Sequence, residues 1–131
     1  PDVVSLLIGI NDTWHHADAR DWMPLSVFEA RYRQVLERIR NETKAKLMVI
    51  EQYLFPVPDK TYFAEDLAPK QACVRALAKE YADVFLPAHE LAQQAAAARG
   101  SDTFTADGVH LNETGARWLA ETYAKAIAPL L

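Results

Sequence analysis

The stretch Val3-Val4-Ser5-Leu6-Leu7-Ile8-Gly9-Ile10 decides the fold class, because it is a nearly continuous run of β-branched and aliphatic residues. Such runs are typical of strands that are buried on both faces of a parallel sheet, whereas alternating patterns mark strands with one solvated face. We therefore predict a central strand over residues 3–10. It should end at Asn11-Asp12, and a polar loop that contains Trp14 should follow.

The rest of the chain alternates helices with strands in the order that a parallel sheet requires. A capping box formed by Ser26 and Glu29 begins one helix, and apolar residues then recur with helical period to about residue 41. The later predicted elements are strands at 47–50 and 84–86, a loop from Tyr53 to Asp66, and helices that begin at Pro69, Pro87 and Asn112. This alternation predicts an α/β fold with right-handed crossovers, built as one domain over residues 1–131.

Composition and charge exclude several classes of partner. The 131-residue chain has a formal net charge of −4 and no basic stripe, so a nucleic-acid partner is not expected. No apolar run approaches the roughly 20 residues that a membrane-spanning helix needs. Cys73 is the only cysteine, so no internal disulfide can form, and the cellular location stays open.

One short motif near the C-terminus, Asp107-Gly108-Val109-His110, places a carboxylate and an imidazole three residues apart. A carboxylate that accepts the Nδ1–H of a histidine fixes its tautomer and leaves Nε2 free to take a proton from a nucleophile. The preceding residues favour a turn and Asn112 offers an N-cap, so the motif should lie on a loop before the last helix. The motif predicts a catalytic pair, although a turn-capping aspartate beside a surface histidine would have the same sequence.

A second motif, Gly9-Ile10-Asn11-Asp12, lies where the first predicted strand ends. In open α/β sheets, ligands bind at the carboxyl ends of the strands. A glycine there lets the backbone approach closely, and the side-chain NH₂ of an asparagine can donate to an oxyanion. Together with Asp107 and His110, this motif indicates a catalytic site in which Asn11 is a candidate oxyanion donor.

Other polar and aromatic residues admit structural roles. His15 and His16 could bind a metal, but adjacent side chains point in different directions and no carboxylate cluster is spaced to complete a site, so no metal is expected. His89 could face the cleft, although a surface position at a helix start is the simpler interpretation. Cys73 lies on an apolar helix face and is interpreted as core. The aromatic residues between 53 and 63 could rim a pocket or cover the end of the sheet.

The two motifs resemble those of the SGNH hydrolases, also called GDSL-type esterases and lipases. The matching residues are Gly9, Asn11 and Asp12 in the third block of the family, and Asp107 and His110 in the fifth. The wider stretch Ile8 to Trp14 looks like the bacterial branch that includes acetylxylan esterases and related carbohydrate deacetylases. The resemblance implies a three-layer α/β/α sandwich with a flavodoxin-like parallel sheet, and a site shaped by Gly9, Asp12 and Trp14.

The chain departs from the family pattern at its nucleophile. The first family block, G-D-S, carries the catalytic serine, the second carries an oxyanion-hole glycine, and neither occurs in this sequence. Ser5 lies inside the predicted strand, Ser26 caps a helix and Ser101 follows a helix end, so none has the setting of an exposed nucleophile. We therefore interpret the chain as the C-terminal portion of an SGNH domain whose N-terminal strands are missing from it.

The resemblance implies acyl transfer in two steps, with no metal or organic cofactor. His110, oriented by Asp107, would deprotonate a serine outside the chain, Asn11 would donate to the oxyanion, and water would then release the acid. The expected substrate is a short-chain ester, above all an acetyl ester, of a small molecule or carbohydrate. The alternatives are a lysophospholipase or thioesterase of the same family, and a non-catalytic fragment that binds a glycan or a protein partner.

The predicted strand over residues 3–10 would have an unpaired edge if its neighbour lies outside the chain. Such an edge leaves a row of backbone amides without partners and favours association. We expect it to pair with the missing N-terminal segment or with a second copy across a two-fold axis. We also expect the 131-residue chain by itself to be inactive and poorly stable.

Overall fold

The computed structural model describes residues 1–131 and contains one parallel sheet of three strands. The strands are β1 (Val3–Leu6), β2 (Lys46–Ile50) and β3 (Val84–Leu86), in the spatial order β1-β2-β3. Val4 of β1 is the partner of Leu47 in β2, and Val49 of β2 is the partner of Phe85 in β3. Helices connect each strand to the next, because parallel neighbours need a crossover connection.

Five α-helices surround this sheet. They are α1 (Ile10–Ala17), α2 (Leu25–Glu42), α3 (Ala64–Tyr81), α4 (Ala88–Arg99) and α5 (Glu113–Ile127). Short 3₁₀ segments occupy Pro58–Phe63, Ser101–Thr103 and Ala128–Leu130. None of the helices combines the length and the apolar character that crossing a bilayer demands.

The three layers follow from the alternation of side chains along β2, whose four apolar residues are all buried. Leu47 and Val49 pack in a cluster with residues of α2 and α3, while Met48 and Ile50 pack on the opposite face with residues of α4 and α5. Successive residues of a strand point to opposite faces, so one continuous apolar run serves both helical layers. The predicted three-layer α/β/α architecture with a parallel sheet is confirmed.

The prediction of a buried central strand over residues 3–10 is wrong in its length and its burial. β1 ends at Leu6, Gly9 has a φ of 121°, and α1 begins directly at Ile10. Within this chain β1 is an edge strand, so Leu7 and Ile8 remain 41% and 51% exposed. Gly9 tolerates this left-handed backbone and redirects the chain into a helix, so Trp14 lies in α1 and not in the polar loop that the sequence predicts.

One predicted helix cap and one predicted helix start are also wrong. Helix α2 begins at Leu25 with Pro24 at its N-cap, so Ser26 already lies in the first turn and no capping box forms. Helix α3 begins at Ala64, well before Pro69, because the residues predicted as loop coil into the 3₁₀ segment and continue as helix. Pro69 lies inside α3 at an exposed position, where its missing N–H removes one backbone hydrogen bond of the helix.

The C-terminal helices form where the sequence predicts them. Helix α4 follows Pro87 and ends at Gly100, and Asn112 caps α5 by accepting a hydrogen bond from the N–H of Gly115 at 2.9 Å. A side-chain oxygen at the N-cap satisfies one of the free N–H groups of the first turn. This cap fixes the beginning of α5 immediately after the Asp107–His110 loop.

Gly115 is the one position of α5 that admits no side chain. A Cβ there would collide with the backbone carbonyl oxygen of Phe104 and lie 3.0 Å from the side chain of Leu111. We expect Gly115→Ala to lower the free energy of unfolding of the intact protein by about 1–3 kcal/mol, the usual cost of overpacking. Urea unfolding would measure the loss, and the exposed neighbour Ala116→Ser should change it by less than about 0.5 kcal/mol. Equal stability of the Gly115→Ala variant and the wild type would contradict this prediction.

Candidate active site

Asp107 and His110 form a hydrogen-bonded pair on the loop that precedes α5. The Oδ2 atom of Asp107 lies 2.7 Å from Nδ1 of His110. The imidazole is 79% exposed and the carboxylate only 35% exposed. Nδ1 is occupied by the carboxylate, so Nε2 of the exposed imidazole faces solvent. This is the arrangement that a general base oriented by an anion requires.

The other carboxylate oxygen of Asp107 organises the backbone of the loop. Oδ1 accepts hydrogen bonds from the N–H groups of Val109 at 2.9 Å and His110 at 2.8 Å. Partial burial acts to raise the pKa of Asp107, but the bonds from Val109 N–H and from the ring and backbone N–H of His110 outweigh it and lower the pKa to about 2. The carboxylate is therefore charged throughout the pH range in which an imidazole can act as a base.

Gly108 holds this loop against the segment that follows β2. Its carbonyl accepts a hydrogen bond from the N–H of Phe55 at 2.9 Å, and its φ is 91°. A Cβ at this position would lie 2.9 Å from the carbonyl oxygen of Phe55 and 3.0 Å from side-chain atoms of Leu54 and Val57. Only glycine combines the left-handed conformation with this close approach. The Asp107–His110 pair is thereby attached to the segment that follows the central strand.

Trp14 brings helix α1 to the same place. The centroids of the Trp14 and His110 rings lie 5.7 Å apart in an edge-on arrangement. The Nζ atom of Lys60, which is nearly buried, lies 4.9 Å from the centroid of the Trp14 ring. Phe63 contacts Trp14 edge-on as well, at 5.9 Å. The indole is held by a cation–π contact and an aromatic neighbour, so that it forms a fixed wall beside the imidazole.

The residues of the second motif lie around the first turn of α1. Gly9 is the N-cap, and Asn11 is exposed with no hydrogen bond from its side chain. Asn11 precedes Trp14 by three residues and therefore shares its face of the helix. Asp12 lies elsewhere, in a groove lined by Ile8, Met23, Arg31 and Tyr32 among others. The structure thus brings Asp107, His110 and Trp14 into contact, places Asn11 one turn from Trp14, and separates Asp12 from this group.

His89 is not the surface residue that the sequence indicates. It lies half-buried in the first turn of α4, and its Nδ1 accepts a hydrogen bond from the N–H of Leu54 at 3.2 Å. Because Nδ1 accepts this hydrogen bond, the proton of the neutral ring is on Nε2, and burial lowers the pKa of His89 against the opposing charge of Glu51. His89 therefore anchors the loop after β2, a role that no local sequence signal reveals.

A small apolar cavity adjoins the loop that carries Asp107 and His110. It measures about 70 Å³ and is lined by six residues, which are Leu7, Ile8, Ile10, Gln52, Tyr53 and Val109. Val109 directly precedes His110, and its carbonyl accepts a hydrogen bond of 3.4 Å from the hydroxyl of Tyr53. No three histidine, cysteine or acidic side chains of this chain converge in a way that could hold a metal ion.

Comparisons with known proteins agree with this architecture. The model of the GDSL-like lipase/acylhydrolase family matches residues 1–118, a span that includes both motifs. A protein from Parabacteroides merdae described as a GDSL-like lipase superposes with a TM-score of 0.85 at 23% identity, over 100% of this chain and 62% of its own. Axe2, an acetylxylan esterase from Geobacillus stearothermophilus, gives 0.84 at 21% identity, over 97% of this chain and 59% of its own.

A third solved structure has the same fold. LAE5, an α/β hydrolase enzyme from the metagenome of Lake Arreo, superposes with a TM-score of 0.84 at 17% identity, over 100% of this chain and 62% of its own. No curated protein matches the chain significantly in sequence. The chain therefore spans between 59% and 62% of the length of the solved structures described here.

Proposed function

Since the chain belongs to the GDSL-like lipase/acylhydrolase family, we propose that the protein that carries it hydrolyses esters through a serine, a histidine and an aspartate. The observation that supports this proposal most is the Asp107–His110 pair, with its 2.7 Å hydrogen bond and its exposed imidazole. A histidine oriented in this way can take a proton from a serine and later return it to a leaving group.

The nucleophile in this proposal lies outside residues 1–131. The chain contains three serines, and none forms a hydrogen bond with His110. Ser5 is exposed on β1, contrary to the burial expected from its strand, but its hydroxyl contacts the hydroxyl of Tyr123 at 2.8 Å. Ser101 donates to the carbonyl of Pro56 at 2.6 Å, and Ser26 lies within α2. A serine that lies outside residues 1–131 is the simplest way to complete a triad with Asp107 and His110.

The chemical steps follow from these positions. Nε2 of His110 takes the proton of the serine hydroxyl as the oxygen attacks the ester carbonyl, and Asp107 stabilises the imidazolium that forms. Asn11 donates from its side-chain NH₂ to the oxyanion of the tetrahedral intermediate. The imidazolium then protonates the departing alcohol, and a water activated by His110 releases the acid from the acyl-enzyme.

The proposed substrate is a short acyl ester, above all an acetyl ester, of a small molecule or carbohydrate. The apolar lining beside Val109, which directly precedes His110, supports an apolar acyl group. The indole of Trp14 next to His110 supports a sugar, since its flat apolar face suits the C–H face of a pyranose. The fold shared with an acetylxylan esterase agrees with this choice.

A series of esters tests the substrate proposal. The intact protein should hydrolyse acetyl esters fastest, butyryl esters more slowly and octanoyl esters slowest. It should also release acetate from acetylated xylan. Preference for octanoyl esters would favour a lipase-like or thioesterase activity instead. A fluorophosphonate that labels no serine in the intact protein, together with no ester hydrolysis, would leave a glycan-binding or partner-binding domain as the function.

Asn11 provides a test of the oxyanion role. We expect Asn11→Ala to lower kcat by about 10²- to 10³-fold, the usual loss for one oxyanion donor, while KM changes little. Steady-state kinetics on a chromogenic acetyl ester would measure the change. Asp12→Asn is the matched control, because Asp12 is the next residue and lines a different groove. An Asn11→Ala enzyme with wild-type kcat would remove Asn11 from the proposed mechanism.

The outer edge of β1 is the proposed contact for the segment that brings the serine. This edge pairs with no strand of the chain, and Leu7 and Ile8 beyond it are exposed. Both residues also line the cavity beside Val109, so a strand added here would end close to His110. Pairing would satisfy the free backbone groups and cover the apolar side chains; without that segment, two copies could pair through the same edge.

Purified residues 1–131 test this contact. We expect them to be inactive on acetyl esters and to run as dimers or larger species by light scattering, whereas the longer protein is active. Ile8→Lys should weaken self-association, because it places a charge at the edge of β1. Val27→Lys, on the exposed side of α2, is the control. A stable monomer of residues 1–131 that hydrolyses acetyl esters at enzyme-like rates would contradict both the location of the nucleophile and the proposed contact.

A further inference from the structure

The hydroxyl of Thr105 lies at the centre of the loop that carries Asp107 and His110. Thr105 is only 2% exposed. Its Oγ1 donates to the carbonyl oxygen of His110 at 2.7 Å and accepts from the N–H of Gly108 at 3.0 Å. The N–H of Asp107 lies 3.3 Å from the same oxygen. One buried hydroxyl therefore contacts both ends of the four-residue motif.

Two side-chain turns are nested in this loop. Thr105 accepts from the residues that follow it, and Asp107 in turn accepts from Val109 and His110. Such local side-chain bonds hold a backbone in a turn that neither helix nor sheet would support. The backbone bridge between Thr105 and Leu111 closes the loop at its base. The loop is thus fixed from inside by two polar side chains and at its base by backbone pairing.

The imidazole of His110 depends on this loop for its position. The ring is 79% exposed, and its side-chain contacts include the Asp107 carboxylate and the Trp14 ring. A side chain with so little packing is positioned mainly by its own backbone, and Thr105 holds the carbonyl group of that residue. Displacements of about 1 Å in a reacting group can cost about 10²-fold in rate.

We propose that Thr105 is a positioning residue for the Asp107–His110 pair, acting through its hydroxyl on the backbone at both ends of the motif. The proposal rests on the proposed function, because it assigns Thr105 a part in the same reaction. Thr105 touches neither the substrate nor the nucleophile. Without the hydroxyl, the His110 carbonyl and the Gly108 N–H lose their common partner in the buried part of the loop.

Serine and alanine at position 105 separate the hydroxyl from the rest of the side chain. In the intact protein, Thr105→Ser keeps the oxygen and should retain kcat within about 3-fold, whereas Thr105→Ala should lose about 10- to 100-fold in kcat. KM should change less than 2-fold in both, because neither change touches the substrate. Thr103→Val is the matched control, since the Thr103 hydroxyl donates to Arg99 outside the motif and should leave kcat unchanged.

A second readout follows the carboxylate itself. Carbon-13 NMR of the Asp107 carboxyl group should show its pKa rising from about 2 toward the ordinary value in Thr105→Ala, because the N–H groups that lower it move away. The pKa should stay low in Thr105→Ser. Equal kcat in the Thr105→Ala variant and the wild type, an equal loss in the serine variant, or failure of Thr105→Ala to fold would overturn the positioning role. A wild-type protein that neither hydrolyses esters nor reacts with a fluorophosphonate would instead contradict the proposed function.

Discussion

Replacing His110 by alanine in the intact protein is expected to lower kcat for acetyl esters by at least about 10⁴-fold. The imidazole is the only exposed base that a carboxylate orients in this loop, and its removal leaves the serine hydroxyl with no proton acceptor. Losses of this size or larger follow removal of the histidine in serine hydrolases with such a triad. Single-turnover measurements with a chromogenic acetyl ester would separate the chemical step from binding.

The matched control is His15→Ala, which removes an exposed imidazole from α1. That variant should retain kcat within about 2-fold, since His15 forms no hydrogen bond with the site. The unfolding midpoint of the His110→Ala variant should stay close to that of the wild type, because an exposed side chain contributes little to packing. Wild-type turnover by His110→Ala would end the hydrolase proposal for this pair.

Asp107→Asn is expected to lower kcat by about 10⁴-fold, by comparison with the same change in a serine protease. The amide oxygen can still accept from the N–H groups of Val109 and His110, so the turn should persist. The amide nitrogen, however, donates toward Nδ1 and favours the wrong tautomer of His110. Asp102→Asn, at an exposed position in the preceding 3₁₀ segment, should retain full activity. A kcat of Asp107→Asn within 10-fold of the wild type would show that the carboxylate does not orient the base.

The same substitution has a predicted effect on acid stability. Folding lowers the pKa of Asp107 to about 2, below the ordinary value of about 3.9, so the charged form stabilises the folded loop. That contribution is complete above about pH 4 and is lost as the pH falls through 2. In Asp107→Asn it should be absent, so the unfolding free energy of the variant should depend less on pH between 4 and 2 than that of the wild type.

The sequence predicts the architecture better than the ends of its elements. The apolar run of β2 and the boundaries of α4 at Pro87 and Gly100 are reproduced, because burial on two faces and proline or glycine at a helix end are local signals. The length of the strand predicted over residues 3–10 is overestimated, because a run of valine, leucine and isoleucine does not reveal that Gly9 turns the chain into a helix. Burial of that run also depends on a neighbouring strand, which local sequence cannot supply.

Part of the site depends on contacts between distant residues. Asp107 and His110 can be recognised in the sequence, because a separation of three residues is enough to allow the hydrogen bond between their side chains. The hydrogen bond between Phe55 and Gly108 joins residues more than 50 positions apart, and so does the contact between Trp14 and His110. Lys60 belongs to the same group, since nothing near it in sequence indicates a cation over the Trp14 ring. Such pairs form only when the sheet brings the ends of its strands together.

The contact between Trp14 and His110 gives the proposed base an optical reporter. A protonated imidazole quenches the fluorescence of an adjacent indole, and the two rings are separated by 5.7 Å between centroids. With Trp22, Trp118 and any tryptophan outside residues 1–131 replaced by phenylalanine, the emission of the intact protein comes from Trp14 alone. That emission should be stronger in His110→Ala than in the wild type, because the neighbouring imidazole is then absent. Changes in the contact between the two rings could then be followed in real time during turnover, without a label and without a chromogenic substrate.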